Sequence, residues 1–180
     1  AAARAAARAR AAVEPSGLAV LHQRQPARRT ACAMVAVGVG SRDEEETEHG
    51  MAHFLEHLLF MGTRDFPGPN ALSAALDAVG ARHNAFTAMD HTCYHVTLVA
   101  ERLPLALHIL SQMMLHPQLA ESVLDKEREV VKQEIAKNQD DAPAHAEVLA
   151  YLELFRDHPT LSHDVAGTPA DMDAHARAKV

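Results

Sequence analysis

His53, Glu56 and His57 stand in the run Met51-Ala52-His53-Phe54-Leu55-Glu56-His57-Leu58-Leu59-Phe60-Met61, an HxxEH pattern among otherwise apolar residues. A segment apolar nearly all round is expected to be a buried helix, and three ionisable side chains within it are costly without partners. One metal ion would satisfy all three together. At about 100° per helical residue, His57 lies about 40° round from His53 and Glu56 about 60° round on the other side, so the three share a face. Histidines at i and i+4 can ligate one ion, and imidazole suits Zn²⁺. Glu56 is then placed to touch a water molecule beside the ion.

A second source of acids lies downstream. Residues 120–138 read as a helix with an apolar stripe of Leu124, Val131 and Ile135. Glu127 and Glu134, seven residues apart, fall within about 20° of each other along one edge of that stripe. Carboxylates beside a core-facing stripe need a partner, which a salt bridge or a metal would supply. Spacing alone does not choose between the two glutamates.

The elements that must position these groups follow from periodicity. Residues 17–21 and 30–40 read as strands, and the long apolar run of the second predicts a central strand. Asp43, Glu44, Glu45 and Glu46 precede the motif helix, either favouring the positive end of its dipole or forming a solvated loop. That helix is predicted over 47–61 and ends at Gly62. A helix over 70–79 ends at Gly80, and strands over 82–88 and 92–100 are joined by a short hairpin connection at Met89-Asp90-His91. Further helices are expected over 101–116, 144–156 and 171–179. The pattern is α+β: a two-layer sandwich with a mostly antiparallel sheet covered on one face by helices.

Composition narrows the function. The chain has 180 residues and 48% hydrophobic content, enough for a domain with a sizeable core. No apolar run is long enough to span a bilayer, and a net charge of -7 argues against a nucleic-acid partner. Soluble, intracellular placement is expected, in a bacterial cytoplasm or an organelle matrix. Cys32 and Cys93 form no metal-ligand spacing and are expected to be buried free thiols. His83, His91 and His95 are expected to be exposed strand histidines and not a separate metal site, since 13 histidines make such clustering ordinary. The opening Ala/Arg run, residues 1–16, reads as a low-complexity tail. It is Arg-rich like an organelle transit peptide but lacks the serines of one.

Taken together, the motifs resemble the pitrilysin/insulysin-type inverzincin zinc metallopeptidases, which include the mitochondrial processing peptidases. Four blocks carry the resemblance in order: Gly50 to Thr63 around HxxEH; Asn84-Ala85-Phe86-Thr87 with Asp90, Thr92 and Tyr94; Glu127 to Ile135; and His158-Pro159 with Gly167-Thr168. The resemblance implies one Zn²⁺ per chain, with His53, His57 and Glu134 as ligands and Glu56 as general base. It implies that Glu127 is a second acid of the catalytic site, orienting a ligand, although a plain salt bridge would also account for it. It implies a peptide substrate added as a strand along Asn84, Ala85, Phe86 and Thr87, with Asn84 and Ala85 as the foremost contacts. An Asn opening an ordinary strand is the alternative there.

The same resemblance implies a peptidase domain over 17–180 that stops short at its C-terminal end. It also implies a second homologous half, from the same chain, a partner subunit or self-association, which would contribute an Arg and a Tyr toward the substrate carbonyl. Two functions fit such a chain. One is a zinc endopeptidase acting on peptides or unfolded segments. The other is a non-catalytic structural or binding subunit of the same fold.

Overall fold

In a computed structural model that describes residues 9–175, the chain is an α+β domain. Strands β1 (Arg10–Val13) and β2 (Ala19–His22) form an exposed antiparallel hairpin. Strand β1 lies within the stretch read as a low-complexity tail; its alanines offer no alternation that would have marked it. Strand β3 (Thr30–Val37) leads through a 3₁₀ turn (Ser41–Asp43) to helix α1 (Met51–Leu58) and then α2 (Ala71–Asp77). The hairpin β4 (Arg82–Thr87) and β5 (Thr92–Val99) follows. Helices α3 (Leu103–Leu115), α4 (Glu121–Asp140), α5 (Ala142–Leu154) and α6 (Pro169–Ala174) complete the described fold. Most predicted elements recur with shifted ends. The last helix is shorter than expected, and residues 176–179 of that expectation lie outside the described residues.

The second sheet has the order β3-β5-β4, antiparallel throughout. The central strand is therefore β5, not the long apolar run of β3. An apolar run shows that a strand can be buried, not that it has neighbours on both sides. In β3 only Ala33 is buried and Met34 is 60% exposed, whereas Cys93, Tyr94, Val96 and Leu98 of β5 are all buried. The thiols divide the same way: Cys93 is buried, but Cys32 on β3 is exposed, contrary to expectation, and both are free.

Two apolar clusters explain why α1 is hydrophobic nearly all round. Its Leu55 and Leu59 pack into the sheet-side core with Leu72, Leu76, Tyr94 and Ile109. Its Phe54 and Leu58, both fully buried, pack into a second cluster with Leu124, Val131 and Ile135 of α4 and Met172 of α6. Helix α1 is thus clamped between the sheet and α4, and each fully buried Leu or Phe contributes about 1.5–3 kcal/mol. The guanidinium of Arg128 on α4 lies 6.0 Å from the Phe54 ring centroid and donates to the His175 carbonyl, which fastens α6 to the same assembly.

The motif helix starts at Met51 and not at the expected residue 47 because Gly50 has φ +83°, a left-handed conformation outside regular helix. A Cβ there would also meet the Ala166 carbonyl oxygen at 2.5 Å. The 163–167 segment therefore passes directly over the N-terminus of α1. No helix among the described residues is long and apolar enough to cross a membrane.

Candidate active site

With two faces of α1 committed to the two clusters, the remaining face carries His53, Glu56 and His57. All three line a cavity of about 430 Å³, together with Phe60 and Met61 just past the helix and Asn84, Ala85 and Glu134. Helix α4, packed on Phe54 and Leu58, brings Glu134 to the two histidines. Its Oε2 lies 3.3 Å from His57 Nε2 and 4.0 Å from His53 Nε2. Potential ligand atoms of the three residues all lie within 4.8 Å of one another. Tetrahedral Zn²⁺ with ligands at about 2.0–2.1 Å separates them by about 3.4 Å, so the trio fits one ion with small adjustments. His83, His91 and His95 do not form a second cluster among the described residues. His91 sits in the turn against Asp90, at 2.6 Å, and not on a strand.

The other ring nitrogens differ. His57 Nδ1 faces Glu127 Oε1 at 3.5 Å, with Glu127 itself buried. A ligand histidine whose far nitrogen meets a carboxylate has its tautomer and ring orientation set by that contact. His53 Nδ1 is buried with no hydrogen-bond partner among the described residues. Burial acts to hold the His57 pKa down, but the Glu127 contact and the charges of Glu134 and Glu56 outweigh it, and the pKa is raised. Burial, reinforced by the neighbouring His57, lowers that of His53. The carboxylates around His57 therefore favour positive charge in this pocket, as a bound cation requires.

Glu56 stands apart from the ligand trio. Its Oε2 accepts a hydrogen bond from Thr87 Oγ1 at 2.7 Å. Asn84 and Ala85 lie on the cavity wall and Thr87 does not. The Phe86 side chain is 45% exposed and turns to the His91 ring, with centroids 5.5 Å apart. Strand β4 lies at the edge of its sheet among the described residues, the arrangement that strand addition by an extended peptide requires.

Sequence reasoning missed a carboxylate behind the motif. Glu44, 8% exposed, accepts from the Gly50 N–H at 2.9 Å and the Ala52 N–H at 2.7 Å, at the start of α1. His163 Nε2 lies 2.9 Å from the Ser41 carbonyl oxygen and 3.2 Å from Glu44 Oε2. A carbonyl only accepts, so that nitrogen carries the proton. The His163 ring stacks on His49 at 3.8 Å. Burial pushes the Glu44 carboxyl up to about 7, against the two backbone donors. Of the two readings of the acidic stretch, helix-end stabilisation therefore holds for Glu44. His163, 119 residues away in sequence, gave no local signal.

The family pattern described as Insulinase (Peptidase family M16) matches residues 19–167. The chain is 40% identical over 168 residues to an uncharacterized zinc protease of Mycobacterium tuberculosis, covering 92% of this chain and 37% of that protein. It is 33% identical over 165 residues to the mitochondrial cytochrome b-c1 complex subunit 1 of Bos taurus, covering 91% and 33%. Among solved structures, a protease from Helicobacter pylori superposes with a TM-score of 0.86 at 23% identity, covering 96% of this chain and 41% of the other, a likeness of fold. The chain spans about a third of the length of these curated relatives. On the extent of the family match, the chain belongs to the insulinase family, peptidase family M16.

Proposed function

We propose that this chain is the metal-holding part of a zinc endopeptidase that hydrolyses peptides or unfolded polypeptide segments. The observation that carries the reading is the convergence of His53, His57 and Glu134 on one point, with Glu56 on the same cavity wall but hydrogen-bonded outside the ligand set. These three residues would hold one Zn²⁺ and leave a coordination position open. Zinc bound there supplies Lewis-acid polarisation of the scissile carbonyl and lowers the pKa of water.

The chain's own groups do the rest. Glu56 takes a proton from the attacking water as its oxygen bonds to the carbonyl carbon, and returns it to the amine nitrogen as the C–N bond breaks. Glu127 holds His57 in the ligating tautomer through Nδ1. The β4 edge at Asn84 and Ala85 receives the substrate as an added strand, with backbone hydrogen bonds providing affinity. No covalent acyl-enzyme is needed, so the thiols and serines stay outside the chemistry. A second homologous half, on the same chain or another, would close over the cavity and complete the substrate site.

The similarity to a cytochrome b-c1 complex subunit motivates a second reading, a non-catalytic subunit of the same fold. The full set of His53, Glu56, His57 and Glu134 weighs against it, because a purely structural subunit has no need of a proton acceptor beside three convergent ligands. Zinc content and cleavage of an unstructured basic peptide, measured for the chain beside its Glu56→Gln variant, separate the readings. Stoichiometric zinc with Glu56-dependent cleavage supports the peptidase. Zinc without cleavage, persisting when candidate partner halves are added, favours the non-catalytic subunit. Absence of zinc binding overturns the metal centre.

A further inference from the structure

Thr87 ends β4, and Thr92, directly opposite it, begins β5. The Thr92 hydroxyl donates to the Val39 carbonyl at 3.0 Å, and the Ala88 N–H donates to the His91 carbonyl at 2.8 Å, so this end of the hairpin is fastened on both sides. From that fixed point Thr87 donates to Glu56 at 2.7 Å. Strand alternation sets Thr87 on the face of His83 and Ala85, away from exposed Phe86.

The need for such a tether follows from where Glu56 sits. It shares one helix face with the two histidines, and a carboxylate is itself a good zinc ligand. A glutamate free to rotate toward the ion would become a fourth protein ligand. It would fill the open coordination position. A hydroxyl bonded to one carboxylate oxygen opposes that rotation and leaves the other oxygen available. Substrate contact is the weaker role for Thr87, because Thr87 is not on the cavity wall.

We infer that Thr87 is a positioning residue, whose hydroxyl keeps the Glu56 carboxylate off the metal and turned toward the cavity. The inference rests on the reading of Glu56 as the proton acceptor, but one of its tests does not require activity. Thr87→Val removes the hydroxyl at nearly constant shape, and Thr87→Ser retains it.

With Co²⁺ in place of zinc, the visible absorption of Thr87→Val should shift from that of the wild type, as a new carboxylate ligand enters. Thr87→Ser should keep the wild-type spectrum, and so should Thr87→Val combined with Glu56→Ala relative to Glu56→Ala alone. In peptide hydrolysis, Thr87→Val should lower kcat by roughly 10–100-fold with KM changed less than about twofold, and Thr87→Ser should recover most of the loss. An unchanged Co²⁺ spectrum in Thr87→Val overturns the inference whatever the activity. So does a raised KM at constant kcat, which would make Thr87 a substrate contact, or a Ser variant as impaired as Val. A spectral shift in a chain that hydrolyses nothing, even with its partner half, would sustain the tether while overturning the peptidase reading.

Discussion

Replacing Glu44 by alanine tests whether the motif helix is held by a carboxylate that chemistry does not use. The Glu44 side chain is 5% exposed and accepts two backbone N–H groups at the start of α1, those of Gly50 and Ala52. Truncation strands both donors. Gly50 is buried, so its orphaned N–H costs about 1–3 kcal/mol. Ala52 is half-buried, and losing its hydrogen bond costs about 0.5–1.5 kcal/mol. His163 keeps the Ser41 carbonyl, so it adds little.

The gross penalty is about 2–4 kcal/mol, trimmed toward the lower figure by relief of a desolvated carboxylate. For a chain of this size that is a fall in melting temperature of about 4–15 °C. The assay is thermal unfolding of the metal-free chain followed by circular dichroism. Zinc affinity is measured in parallel, since His53 lies in the first turn of α1 and should bind less tightly when that turn frays. Glu44→Gln, which retains one carbonyl acceptor, should fall between wild type and alanine. An alanine variant melting within about 2 °C of wild type would refute the claim that this carboxylate secures the helix.

Other outcomes follow from the same geometry. Glu56→Gln should retain zinc and lose hydrolysis; full activity in that variant would exclude Glu56 as the proton acceptor. His53→Ala or Glu134→Gln should abolish zinc retention in metal analysis after dialysis, and stoichiometric zinc in either would remove that residue from the ligand set. Glu127→Gln should weaken zinc binding or activity by roughly 10–100-fold, measured by chelator competition and peptide hydrolysis, whereas a plain surface salt bridge would leave both unchanged. The folded-state pKa of Glu44, about 7, lies above its ordinary value of 4.5, so folding retains a proton that the unfolded chain gives up. The resulting stability is fully present below pH 4.5 and is lost as pH rises through about 7. The stability of the metal-free wild type should fall across that window more than that of Glu44→Gln does, and parallel pH profiles would count against the assignment.

The shared placement of His53, Glu56 and His57 was legible in the sequence because it is local. HxxEH places three groups on one helix face through helical geometry alone, and the apolar residues around them require that helix to be buried. The resemblance singled out Glu134, and the packing of α4 on Phe54 and Leu58 brings that residue to the histidines. The α+β class followed in the same way from periodicity, which local side-chain patterns carry.

What stayed hidden depends on which surfaces meet. The apolar run of β3 could not reveal that β5 takes the centre of the sheet, since strand order is decided by pairing across distant segments. The exposure of Cys32 on β3 was hidden in the same way, while Arg10–Val13 join a separate local hairpin with Ala19–His22 whose alanines left no alternation to read. Nothing near His163 pointed to Glu44, nor anything near Thr87 to Glu56. Each of those contacts is a single hydrogen bond or ion pair between residues 31 to 119 positions apart. The sequence by itself determined a buried helix carrying a metal-binding pattern and a candidate base. Only the tertiary structure decided what holds that base and that helix in place, because hydrogen-bond partners are chosen by packing in three dimensions and leave no periodic trace along the chain.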